Sequence, residues 1–188
     1  MVEDRPELSL VMPAYNEGDT IEEAIGRVDQ VVGKLGLKYE LIVVDDGSVD
    51  DTRRKAINYA RNNSHVRVVG YGRNVGKGYA IKTGFSRAKG DIVIFMDGDL
   101  DINPTQIGKY LRALKQADIV IASKRHPGSK VRAPLMRRLL SLAFHVLVKL
   151  ATGLGVSDTQ SGLKAFRGKP LQRMVHLLSV KKFAFDVE

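Results

Sequence analysis

Short runs rich in Val and Ile alternate with longer amphipathic stretches along the first two-thirds of the chain. The apolar runs at 8–12, 40–44, 66–69, 92–96 and 119–122 read as strands. Helices are expected between them. Asp19 or Thr20 offers an N-cap for one reaching about residue 35, and Asp50 for a second ending near 62. A third spans about 78–88. Asn103 followed by Pro104 reads as N-cap and first position of a fourth, to about 116. Strands that are apolar throughout, alternating with helices, predict an α/β fold: a mostly parallel sheet flanked by helices on both faces.

The character of the chain changes after residue 122. Residues 124–138 hold six Lys or Arg and no acid. An apolar helix is expected over about 135–152, with Arg138, Ser141, His145 and Lys149 forming one narrow polar stripe. Such a helix suits a protein core, or a position with one face on the core and another on a membrane surface.

A length of 188 residues suits one domain with one sizeable core. The absence of cysteine excludes disulfides and thiolate metal sites and favours a reducing compartment. No run approaches the ~18 apolar residues that read as a membrane span, and MVEDRPELSL lacks the pattern of a signal peptide. The net charge of +9 leaves nucleic acid, anionic lipid and a phosphorylated substrate open as partners.

Each of the first four expected strands runs into a polar cluster: PAYNE at 13–17, DDGS at 45–48, GRNVGKG at 72–78 and DGDLD at 97–101. In a parallel sheet these clusters share one edge, the edge where open α/β folds bind ligands. Asp97, Asp99 and Asp101 fall at alternate positions and converge if the segment stays extended. Clustered carboxylates repel unless a cation joins them, and hard oxygen ligands select Mg²⁺, Mn²⁺ or Ca²⁺. An EF-hand would need Gly and Glu where Ile102 and Gly108 stand, so that reading fails. Mg²⁺ commonly completes its shell with substrate phosphates, which suggests a metal–diphosphate site. Gly76, Lys77 and Gly78 open a helix, where free N–H groups and a lysine suit an anion. Asp45 and Asp46 offer acceptors to a ribose or a base edge, or serve a capping turn. A dinucleotide-binding motif would need glycines where PAYNEG stands.

VMPAYNE, VVDDGSVDDT, NVGKGYAIKTGF and DGDLD, in this order, resemble the family 2 glycosyltransferases of GT-A fold, a Rossmann-like architecture. SDTQSGLKAFR and FAFDVE resemble the polyprenyl-phosphate branch of that family, which holds the dolichyl-phosphate mannose synthases and β-glucosyltransferases. The resemblance implies that Pro13, Tyr15, Asn16 and Glu17 line the nucleoside pocket, with Asp45 or Asp46 near the base and Lys77 near the nucleotide. It assigns the metal and diphosphate to Asp97 and Asp99. Asp101 stands where relatives carry another polar residue. Arg125, Arg137 and Ser141 match positions that hold the acceptor phosphate, and Asp158, Gln160 and Ser161 fall in the acceptor-side loop. Residues 1–123 are then the nucleotide-sugar part and 124–188 the acceptor and membrane-proximal part, which ends short of the family's length.

The implied reaction moves glucose or mannose from UDP-glucose or GDP-mannose to a polyprenyl or dolichyl phosphate, with Mg²⁺ or Mn²⁺ as cofactor. The expected location is the cytoplasmic face of a membrane, peripherally bound. A phosphate monoester has its second pKa at ~6 and needs no general base. The site must instead supply positive charge on both sides of the anomeric carbon: a metal for the leaving diphosphate and arginines for the acceptor. A hydroxyl acceptor would require a carboxylate base, and Asp186 is the candidate. A nucleic-acid-binding module is the remaining alternative, but no recognition motif accompanies the charge, and no nucleic acid partner is expected.

Overall fold

The computed structural model describes residues 5–99, 102–121 and 162–178. Its elements are β1 (Leu8–Ala14), α1 (Ile21–Gly33), β2 (Tyr39–Asp45), α2 (Thr52–Arg61), β3 (Val66–Gly70), α3 (Lys77–Arg87), β4 (Ile92–Met96), α4 (Ile107–Ala113), β5 (Ile119–Ile121), β6 (Leu163–Arg167) and α5 (Gly168–Met174). Short 3₁₀ turns precede α4 and follow α5.

The strands form one six-stranded sheet in the order β3-β2-β1-β4-β6-β5. β3, β2, β1 and β4 are mutually parallel. β6 lies antiparallel to both β4 and β5. Alternate residues of each strand feed two cores. Leu8, Leu10, Met12, Leu41, Val43, Ile94 and Met96 pack with α1, Ala56 of α2, and Ile107 and Tyr110 of α4. Val11, Ile42, Val44, Val93 and Phe95 face Ala80, Ile81 and Phe85 of α3 and Leu171 of α5. Covering both faces explains why the central strands carry no polar alternation.

The expected strands 8–12, 40–44 and 66–69 are each extended by one or more residues, and 92–96 is matched. Asn103 caps as expected, its Oδ1 accepting from Thr105 N–H at 3.0 Å, but the first turn is 3₁₀ and α4 stops at Ala113. Neither Asp19 nor Thr20 makes a side-chain cap to α1: the turn is closed by the Glu17 carbonyl, which accepts from the Thr20 and Ile21 N–H groups. Among the described residues the expected fifth strand pairs antiparallel with β6, a strand that the apolar pattern does not announce. The basic run 124–138 and the apolar helix over 135–152 lie outside the described residues.

Candidate active site at the carboxyl edge of the sheet

Because β1 to β4 are parallel, their four polar clusters meet at one edge. There a cavity of about 480 Å³ is lined by Pro13, Ala14, Tyr15, Glu17, Asp46, Asn74, Gly76, Lys77, Ala80, Asp97, Gly98 and Asp99. All four clusters contribute.

The loops around the cavity hold one another. Asn16 adopts a left-handed conformation (φ 53°). Its N–H donates to Ser48 Oγ at 3.0 Å, and its Oδ1 accepts from Val49 N–H at 3.0 Å. Glu17 N–H donates to Thr52 Oγ1 at 2.7 Å, and Gly18 N–H to Asp50 Oδ2 at 2.9 Å. Asn16 thus ties the β1–α1 loop to the β2–α2 loop and is not part of the cavity wall.

The two adjacent aspartates separate in role. Asp46 accepts from Tyr71 Oη at 2.6 Å, Asn74 Nδ2 at 2.9 Å, Val75 N–H at 2.9 Å and Gly76 N–H at 2.9 Å. Its carboxylate is spent on shaping the loop that leads into α3. Burial, and then the hydrogen bond to Asp46, hold the Tyr71 phenol well above its ordinary pKa, so it remains a donor. Asp45 is outside the lining. Its Oδ1 accepts from Ser48 N–H at 3.2 Å, and its Oδ2 is buried with no hydrogen-bond partner. Gly47 between these loops has φ +70°, and a Cβ there would lie 2.2 Å from the Arg73 carbonyl carbon.

At the end of β4 the chain turns at Gly98 and Asp99 and does not continue extended. Asp97 and Asp99 therefore reach the same cavity through a turn, not through strand alternation. Asp97 is held on three sides. Lys77 Nζ stands 2.7 Å from Oδ1 and 2.8 Å from Oδ2. The Asp97 N–H donates to the Gly162 carbonyl at 2.9 Å. A Cβ on residue 162 would come within 2.7 Å of Asp97 Oδ2.

Residues 9–175 match the family described as Glycosyl transferase family 2. The chain belongs to this family. It is 32% identical over 170 residues to an undecaprenyl-phosphate 4-deoxy-4-formamido-L-arabinose transferase of Klebsiella pneumoniae, covering 90% of this chain and 51% of that protein. It is 31% identical to a dolichyl-phosphate beta-glucosyltransferase of Trichomonas vaginalis, covering 98% of this chain and 61% of the relative. The chain thus spans between about half and three-fifths of the length of these two relatives. Among solved structures, it is similar to glucosyl-3-phosphoglycerate synthase from Mycobacterium tuberculosis in complex with Mn²⁺, UDP-glucose and phosphoglyceric acid. The TM-score is 0.69 at 25% identity, covering 98% of this chain and 63% of that one. A mannosyltransferase from Pyrobaculum calidifontis shares the fold, with TM-score 0.61 at 23% identity over 92% of this chain and 47% of that one.

For a family 2 glycosyltransferase the electrostatics of the cavity are informative. Among the described residues its lining carries four carboxylates (Glu17, Asp46, Asp97, Asp99) against one ammonium, that of Lys77. A diphosphate would be repelled by such a wall unless a cation accompanied it. Among the described residues no group of three or more His, Cys, Asp or Glu is placed to hold a metal ion. Two hard carboxylates completed by donor phosphate oxygens fit Mg²⁺ or Mn²⁺ better than an all-protein cage does. Asp101, Arg125, Arg137, Ser141, Asp158, Gln160 and Ser161 lie outside the described residues. Tyr71, Asn74 and Gly162 were not singled out from the sequence. Asn74 lies in NVGKGYAIKTGF and Gly162 in SDTQSGLKAFR, but their roles rest on contacts between distant loops.

Proposed function

We propose that this chain transfers a sugar, glucose or mannose, from UDP or GDP to a polyprenyl phosphate at a membrane surface, with inversion at the anomeric carbon. The observation that carries the reading is the convergence of Lys77, Asp97 and Asp99 on one cavity beside Tyr15. The named activities of the undecaprenyl-phosphate and dolichyl-phosphate relatives support a lipid phosphate as acceptor.

Tyr15, 44% exposed at the cavity wall, offers an aromatic face to the nucleobase, between Pro13 and Glu17. Asp46 lines the cavity and Asp45 adjoins it, and one of the two is assigned to the base edge, whose N–H uracil and guanine both provide. Lys77 and the N-terminus of α3 meet the diphosphate. Asp97 and Asp99, with Asp101 as a further candidate, hold the divalent cation. When bound, that cation supplies neutralisation of the charge developing on the leaving diphosphate.

Arg125 and Arg137, with Ser141, Asp158, Gln160 and Ser161, are assigned to the acceptor phosphate. Arg suits it because a guanidinium grips a phosphate through two parallel hydrogen bonds. The acceptor is already anionic at neutral pH, so orientation and charge take the place of a general base. Residues 1–123 form the donor part of the domain and 124–188 the acceptor part. No helix among the described residues is long and apolar enough to cross a membrane. Peripheral binding at the cytoplasmic face, through the basic run and the apolar helix expected beyond residue 123, is part of the proposal.

The test offers the chain a short polyprenyl phosphate with UDP-glucose, GDP-mannose and other donors, with Mg²⁺ or Mn²⁺ and with EDTA. Mass spectrometry should show one sugar-phosphate lipid, from one donor, lost with EDTA. No donor binding in the presence of metal would overturn the reading.

A further inference from the structure

We infer that Lys77 is a resident counter-ion of Asp97 that makes metal binding and donor binding depend on each other. The inference rests on the donor reading above and adds to it an order of charge exchange within the site.

The ammonium of Lys77 bridges both oxygens of Asp97, at 2.7 and 2.8 Å. The pair is sheltered, with side-chain exposures of 27% and 19%, and the lysine also lies over the Phe95 ring, 5.5 Å from its centroid. A divalent cation that takes Asp97 as a ligand must compete with this ammonium. If it arrives alone, the displaced lysine is left near a second positive centre, in a place too sheltered for water to screen the two fully. A diphosphate arriving alone meets the carboxylates of Asp97 and Asp99 beside a lysine that is already engaged.

Arriving together, the two ligands resolve the conflict. Asp97 would be released to the cation as Lys77 turned to the diphosphate. Lys77 is the first residue of α3, so its ammonium needs to move only within the cavity that it and Gly76 line. No bond is made or broken; the step is an exchange of ion pairs. By linkage, whatever the nucleotide does to metal affinity, the metal does to nucleotide affinity.

The test measures Mn²⁺ binding to the full chain by electron paramagnetic resonance, alone and with UDP or GDP, after subtraction of the Mn²⁺–nucleotide complex in solution. It compares wild type with Lys77→Gln and Lys77→Arg, each checked for folding by circular dichroism. Wild type should bind Mn²⁺ weakly alone and about ten-fold or more tightly with the nucleotide it accepts, within the usual range of coupling between sites. Lys77→Gln should bind Mn²⁺ alone several-fold more tightly than wild type, bind metal-free nucleotide more weakly, and show a smaller coupling, the remainder coming from phosphate oxygens on the metal. Lys77→Arg keeps the charge and should keep the coupling. Folded Lys77→Gln that binds Mn²⁺ alone no better than wild type would overturn the inference while leaving the donor reading intact. Wild type that binds neither nucleotide in the presence of Mn²⁺ would overturn both.

Discussion

The carbonyl of Gly162, the residue before β6, accepts a hydrogen bond from the Asp97 N–H at 2.9 Å, and Gly162 leaves no room for a side chain beside Asp97 Oδ2. The antiparallel strand β6 therefore does more than extend the sheet. It brings the returning chain against the carboxylate assigned to the metal. Gly162→Ala should push Asp97 aside. Metal-dependent nucleotide binding should weaken by about ten-fold or more, while the overpacking costs about 1–3 kcal/mol of stability. Calorimetric titration and urea unfolding measure the two effects. Unchanged binding would show that Asp97 tolerates the displacement.

Asp46 predicts a graded pair of variants. Tyr71→Phe removes one of its donors and should cost about 1 kcal/mol. Asp46→Asn replaces part of an acceptor that faces two backbone N–H groups, Val75 and Gly76, and should cost more, about 1–3 kcal/mol. Both should raise the dissociation constant for nucleotide in the same order, because the loop they shape leads into the N-terminus of α3. Urea unfolding and nucleotide titration of the two variants check the ranking.

Gly47 should not accept a side chain. Its φ of +70° costs about 1–3 kcal/mol for any other residue, and a Cβ would collide with the Arg73 carbonyl. Gly47→Ala should lower the melting temperature by more than Tyr71→Phe does, and should separate the Asp45–Ser48 turn from the loop that ends at Gly76.

The Thr52 hydroxyl beside Asp50, with further hydrogen bonds from the Thr52 and Gly18 N–H groups, holds the Asp50 carboxyl below its ordinary value. A carboxylate depressed in the folded state contributes stability above its unfolded pKa and loses it as pH falls through the folded value. The difference in stability between wild type and Asp50→Asn should thus be constant near neutrality. It should shrink below about pH 4, the ordinary carboxylate value. Urea unfolding across acid pH measures it. A difference that persists unchanged into strong acid would contradict this account.

Much of the fold was legible because β1, β2 and β4 are buried on both faces, so their sequences are mostly apolar. β6 was not. Its five residues, LKAFR, include a buried lysine at 164, and α5 opens with Gly168, Lys169 and Pro170, which read as a loop. The meeting of the four clusters followed from parallel pairing. The convergence of Asp97 and Asp99 was expected from an extended chain and instead comes from the turn at Gly98. The division of labour between Asp45 and Asp46 could not be read in advance, since it depends on which of them meets Tyr71, Asn74 and Gly76 across the sheet edge.

The central claim is that the acceptor is a lipid phosphate. The most direct measurement offers polyprenyl phosphate and the free polyprenol, at equal concentration in the same vesicles, to the chain with Mn²⁺ and the donor it binds. Mass spectrometry then reads which lipid gains the sugar. The account predicts product on the phosphate alone, lost with EDTA and in Asp97→Asn. Sugar on the alcohol, with the phosphate untouched, would contradict it.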